Sequence, residues 1–143
     1  MTFALFLHLL CVATWLGCIL VEALYEHSID DSPAMRRFIS ALHWKTDKFI
    51  EIPAFLGVLL TGGAMLHQAP YTPLLWTKIG LGLTAITFNA VCVWLVVKRL
   101  ALADKGDFAG WEKLDHWQHK LGAVVLLALL AALVAGGALF VAR

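Results

Sequence analysis

A chain of 143 residues has room for one domain, and with 61% hydrophobic and only 15% charged residues it is too apolar for a soluble one, where roughly a quarter are charged. Its mean hydropathy of +0.80 points the same way. The formal net charge of +1 gives no electrostatic case for nucleic acid.

The apolar residues fall into four blocks, each near the roughly 20 residues that cross a bilayer. The sequence therefore predicts an all-α integral membrane four-helix bundle, a single transmembrane domain over 1–143. The first helix is expected over about 2–24. Its start lacks a cationic segment and a small-x-small cleavage site, and its apolar run is too long for a signal peptide. After the polar loop "EHSIDDSP", Ser32-Pro33 reads as an N-cap followed by Pro at the first helical position. The second helix is expected over about 34–66, amphipathic at first and apolar later. "HQAPYTP" makes a short turn, and the third helix follows over about 74–100. "ADKGDFAG" reads as a loop, and the fourth helix runs over about 111–142 with the polar opening "WEKLDHWQHK".

Cationic residues set the expected topology. Arg36, Arg37, Lys45 and Lys48 flank the first loop, and Lys98, Arg99, Lys105 and Lys113 flank the third, while the second loop has none. The positive-inside rule then puts both charged loops in the cytoplasm and both termini on the outer, periplasmic side. Trp44, Trp76, Trp111 and Trp117 fall near the expected interfaces as an aromatic belt. Gly57, Gly62, Gly63, Gly80, Gly82, Gly136 and Gly137 would let helices approach closely. Cys11, Cys18 and Cys92 lie within apolar blocks without a CxxC pair, as small buried hydrophobes rather than a disulfide framework.

The polar groups sort into two layers. Near the cytoplasmic boundary lie Glu22, His43, Asp47, Glu51, Asp115, His116 and His119, with His27 close by in the loop. His43, Asp47 and Glu51 recur at steps of four and share a helical face. Near the outer side lie His8, Lys78 and His67. The stripe His8, Cys11, Trp15, Cys18, Glu22 joins the two layers along helix 1, and Lys78 and Asn89 share a face of helix 3. An acidic group at the depth of Glu51 costs several kcal/mol unless it meets a partner or a cavity; an ion pair with Lys48 or Lys120 would serve. Lys78 has the alternative of snorkelling to the interface, and His8 that of a helix-to-helix hydrogen bond.

Three chemistries suit these residues. Histidines on different helices can hold a b-type haem through neutral imidazole, with His8 and His67 on the outer side and His43 and His119 on the inner side. His67 does not share a helical face with His43 unless Pro53 or the glycines twist the second helix. The second chemistry is a metal site: Glu22, His43, Asp47 and Glu51, with Asp115, His116 or His119, form a mixed nitrogen and oxygen set for zinc, iron or manganese. On the outer side His8, Cys11, Met65 and His67 are softer and suit copper. In the third, the polar groups serve only helix packing in a structural or assembly subunit.

"LHLLCVATWLG", ending at Gly17, resembles the first-helix pattern of the CopD and HemJ-type membrane proteins: Leu-His, six residues, then Trp and a nearby Gly. "PYTPLLWTKIGLGLTAITFN", Pro70 to Asn89, is similar to their third helix, and "VLLTGGAML" to the Thr-Gly that ends their second; the likeness covers roughly residues 1–95. It implies a multi-pass protein of the bacterial inner membrane. HemJ-type proteins are protoporphyrinogen oxidases thought to bind haem, with a first-helix histidine and a third-helix lysine implicated, here His8 and Lys78. CopD-type proteins are linked to copper uptake and resistance. After Trp15 the chain departs from the HemJ pattern: "CILVEALYEH" lacks the arginine expected there as a partner for substrate carboxylates.

The expectation is thus a haem b protein in the lipid bilayer, an oxidoreductase or electron-transfer protein acting on a quinone or a porphyrin, with room for a homo-oligomer. His8 is the foremost axial ligand, Lys78 pairs with a propionate, and Asp47 and Glu51 relay protons. The alternative is a copper, zinc or iron protein.

Overall fold

The computed structural model describes residues 2–28, 30, 32–67 and 71–141. Helix α1 spans Phe3–Glu26, α2 Pro33–Thr46, α3 Ile52–Leu66, α4 Pro73–Lys105 and α5 Phe108–Val141, and a wide π-turn, Asp47–Glu51, joins α2 to α3 in one rod. Counting that rod once gives, among the described residues, four helices long and apolar enough to cross a membrane, as in a multi-pass membrane protein.

Local chemistry sets the helix ends. Thr2, Ser32 and Thr72 each accept a hydrogen bond from the backbone N–H three residues on, at 3.3, 3.3 and 3.2 Å. Pro33 and Pro73 follow two of these caps, where a missing N–H costs nothing. The expected loop at 103–110 is nearly all helical. Gly106 caps α4 in the left-handed region (φ 74°), and the Asp107 carboxylate accepts from Gly110 N–H at 2.9 Å to start α5. Two residues thus replace the expected loop, and α4 and α5 form a long antiparallel hairpin.

The second rod departs from a plain α-helix, and its sequence explains why. Pro53 has no N–H to offer Phe49, and its ring would collide with that carbonyl in an α-turn. The chain widens just before it, and Ile52 N–H reaches back five residues to Asp47 O. In an ideal α-helix each four-residue step drifts about 40° around the axis. The wide turn takes up that drift, and His43, Asp47 and Glu51 are all buried on one side.

α1 packs on α3, α2 on α4, and the π-turn on α1, whereas α1 and α5 touch little. The core joins Val12, Trp15, Phe55, Val58, Ala85, Val125 and Leu129. Trp15 is fully buried and tilts onto Phe55, with ring centroids 5.9 Å apart. Outward-facing side chains such as Leu60, Leu127, Val134 and Phe140 are exposed, the pattern of a bundle turned toward lipid. Of the glycines expected at helix contacts, Gly57 is the demanding one: a Cβ there would lie 2.5 Å from Cys11 Sγ. Gly63, Gly80, Gly82 and Gly137 face open space instead.

Candidate functional site

The charged end of the bundle is organised around Arg99, which is 0% exposed. Its two terminal nitrogens donate to the two oxygens of Glu26 at 3.1 and 3.0 Å, a fork-on-fork pair. One also donates to Gln118 Oε1 at 2.7 Å, the other lies 2.8 Å from Asp115 Oδ1, and the guanidinium stacks 4.5 Å from the Trp111 ring. Trp111 is therefore no interfacial belt residue: it is buried, and its indole N–H donates to Ser40 Oγ at 2.9 Å. Trp76 and Trp117 are exposed, as belt residues should be.

Glu26 hands this order on to His43. Its Oε1 lies 2.6 Å from His43 Nδ1, so Nδ1 carries the proton and donates. Gln118 Nε2 is nearly equidistant from the two ring nitrogens, at 3.3 and 3.4 Å, and Tyr25 meets the ring edge-on at 5.8 Å. The other nitrogen, Nε2, faces Glu22 Oε2 at 3.5 Å and Asp47 Oδ1 at 3.7 Å. Those separations are long for hydrogen bonds. They match two ligand atoms on one ion at metal–ligand distances of about 2.0–2.2 Å.

Below this triad lies a second group. Glu51 is 3% exposed, and Cys18 Sγ donates to Glu22 Oε1 at 3.4 Å. Single ligand atoms of Glu22, His43 and Asp47 lie within 4.8 Å of one another, and so do those of Cys18, Glu22 and Glu51. Asp47 is 1% exposed, and neither of its oxygens has a hydrogen-bond donor among the described residues; the amide nitrogen of Asn89, 3% exposed, has no acceptor among them. Lys48 and Lys120 do not neutralise Glu51. Their ammonium groups lie over the rings of Phe49 and Trp117, at 5.3 and 5.4 Å.

A cleft of about 240 Å³ opens between α1 and α5 onto these groups. Its polar floor holds Glu22, Glu26, His43, Asp47, Glu51 and Asn89. His27 and His119 stand at its rim with rings edge-on at 5.6 Å. His119 is tied to its own helix, its Nδ1 donating to Asp115 O at 2.9 Å, and it forms a third potential ligand group with Glu26 and Asp115. Arg99 already occupies both of those carboxylates. His116 is exposed and joins neither the cleft nor a ligand group among the described residues.

The opposite layer is a separate, smaller arrangement. His8 is buried and its Nδ1 lies 2.9 Å from Thr61 Oγ1, whose hydroxyl donates to Gly57 O at 2.5 Å. The threonine proton is thus spent, so His8 Nδ1–H donates and Nε2 keeps its lone pair. The His8 ring lies against Gly62, and the Lys78 stem against Gly136. His67 is exposed at the end of α3, six residues beyond Thr61. Six residues of helix amount to about 9 Å of rise and about 120° of rotation away from the face that meets His8.

Three residues at the heart of the site, Glu26, Arg99 and Gln118, escaped the sequence reading. Periodicity carries a signal for each. Glu26 extends the helix 1 stripe one step past Glu22. Arg99 continues the buried series Asn89, Cys92, Val96, which runs on to Ala103. Gln118 sits midway between buried Trp111 and Val125 at steps of seven.

Comparison with protein-family models, with curated proteins and with solved structures finds no match. The geometry itself defines the class: a membrane-type four-helix bundle with a buried carboxylate–histidine cluster at its charged end.

Proposed function

We propose that the protein is a multi-pass metal-ion protein of a bacterial inner membrane, both termini outward, that holds a divalent transition metal near the cytoplasmic boundary. Glu22, Asp47 and His43 Nε2 supply the ligands. The observation that carries this reading is the His43 ring: Nδ1–H is fixed by Glu26 while Nε2 faces two carboxylates. A carboxylate behind a ligating histidine sets its tautomer and raises its basicity. Glu26 in turn is held by Arg99, and Asp47 has no hydrogen-bond donor among the described residues, so its charge is the one that a cation would balance.

Charge makes the same point. Asp costs about 2.5–3.5 kcal/mol at a membrane helix centre even on the mildest scale. Glu22, Asp47 and Glu51 are three buried carboxylates with one imidazole among them. A divalent ion offsets two of those charges. The metal would act there as a Lewis acid or redox centre, and the α1/α5 cleft would admit a small substrate or the exchanging ion. Mixed imidazole and carboxylate ligands favour zinc, iron or manganese.

A haem is the second reading, favoured by His8 Nε2, which keeps its lone pair, and by the likeness to the HemJ type. On that reading Lys78 supplies the propionate partner, while Asp47 and Glu51 relay protons. The cleft at the charged end, about 240 Å³, is below the roughly 300–1,000 Å³ usual for small-molecule pockets.

The test is elemental analysis and an absorption spectrum, oxidised and dithionite-reduced, of the detergent-purified protein. Stoichiometric divalent metal that is lost in a folded Asp47→Asn variant is expected. A Soret band lost in His8→Ala would establish haem instead. A colourless protein that takes up no zinc, cobalt or manganese would refute both.

A further inference from the structure

We propose that the cluster is built for two divalent cations, bridged by Glu22. This rests on the metal reading above and goes one ion further. Glu22 sends its two oxygens in different directions: Oε2 toward His43 Nε2 at 3.5 Å, and Oε1 toward Cys18 Sγ at 3.4 Å. Glu22 belongs to both groups of three ligand atoms that lie within 4.8 Å of one another, with His43 and Asp47 in one and with Cys18 and Glu51 in the other. A carboxylate shared between two such groups is the usual link of a two-metal site.

Depth separates the two positions. Counted from the outer helix ends, Glu22 and Asp47 each lie 19 residues in, at about 28 Å, and Cys18 and Glu51 each lie 15 residues in, at about 22 Å. The second position is thus one turn deeper, where an unpaired anion is costlier. The buried Asp47 oxygens, without a hydrogen-bond donor among the described residues, and the buried Asn89 amide nitrogen, without an acceptor among them, line the same cleft. Asn89 belongs to neither ligand group, so its buried amide is a sign, independent of them, that this space takes a ligand.

Charge balance selects the number of ions. With the Cys18 thiol deprotonated, as a metal ligand must be, four anionic groups surround the space. Two divalent cations neutralise them; with one ion in the first position the thiol keeps its proton and one carboxylate charge is left in excess in the dry interior. Arg99 is committed to Glu26 and Asp115, and the ammonium groups of Lys48 and Lys120 to outward-facing rings. The thiolate makes the deeper position the softer one, suited to zinc, cobalt or iron(II), beside a nitrogen–oxygen position of broader tolerance.

The experiment is a titration of the full chain in detergent, stripped with chelator, with Co²⁺ followed by absorption and with Zn²⁺ followed by calorimetry. The expected result is two equivalents bound and a near-ultraviolet thiolate-to-cobalt band. Cys18→Ala should bind one equivalent without the band. Glu51→Gln, with a carboxamide of similar shape, should also bind one and covers the case in which the cysteine variant does not fold. One equivalent and no thiolate band in the wild-type chain overturns the second ion and leaves the first. Two equivalents persisting in folded Cys18→Ala and Glu51→Gln overturns it as well, since the second ion would then sit elsewhere. No metal bound at all overturns the metal reading itself.

Discussion

Replacing Arg99 with Met tests whether the charged end is held by one buried cation. Arg99 and Glu26 expose 1% and 5% of their side chains, while Asp115 exposes 25% and is partly screened. Removing one member of such a pair leaves a buried charge and typically costs 3–5 kcal/mol; the exposure of Asp115 puts the expected loss at the low end, about 3 kcal/mol. For a chain of this size that is a fall in Tm of roughly 6–12 °C in detergent. The informative comparison is the double variant Arg99→Met with Glu26→Leu. It leaves no bare charge at that pair, so it should be more stable than Arg99→Met alone by about 1–3 kcal/mol of coupling. It should not regain metal affinity, because His43 has lost the carboxylate that orients Nδ1, a loss worth about 10–100-fold. Thermal unfolding by circular dichroism and a Zn²⁺ titration on the wild type, Arg99→Met, Glu26→Leu and the double variant read both quantities. A double variant no more stable than the single, or one that binds zinc like wild type, would refute this account of the network.

Gly57→Ala places a methyl 2.5 Å from Cys11 Sγ and should cost about 1–3 kcal/mol. Adding Cys11→Ala should restore most of that, and no recovery would mean that the α1–α3 contact is not what Gly57 serves. Metal affinity should fall as pH is lowered, because each ligand must shed its proton to bind. Isothermal titration in two buffers of different ionisation enthalpy should show proton release, and pH-independent binding without it would place the ion elsewhere.

The sequence by itself determined what depends on near neighbours and on solvent. Four apolar blocks of spanning length, the caps at Ser32 and the Pro-led helix starts follow from hydropathy and from chemistry within one turn. So did the burial of His8, Trp15, Cys18 and Glu22 on one stripe, and of His43, Asp47 and Glu51 on another, because a helix fixes which residues share a face. The Gly106–Asp107 turn was legible in principle, as a left-handed cap followed by an N-cap, although the surrounding polar residues read as a longer loop.

Only the tertiary structure decided which polar group meets which. Arg99 counts along the chain as one more charge in a basic flank, yet it is the buried hub that joins Glu26, Gln118 and Asp115. Trp111 looks interfacial and lies instead between Ser40 and Arg99. Glu51 meets neither Lys48 nor Lys120 and lies instead with Cys18 and Glu22 of α1. These outcomes rest on contacts between residues tens of positions apart. A buried charge takes its partner from whichever helices pack around it, and no local periodicity specifies that choice.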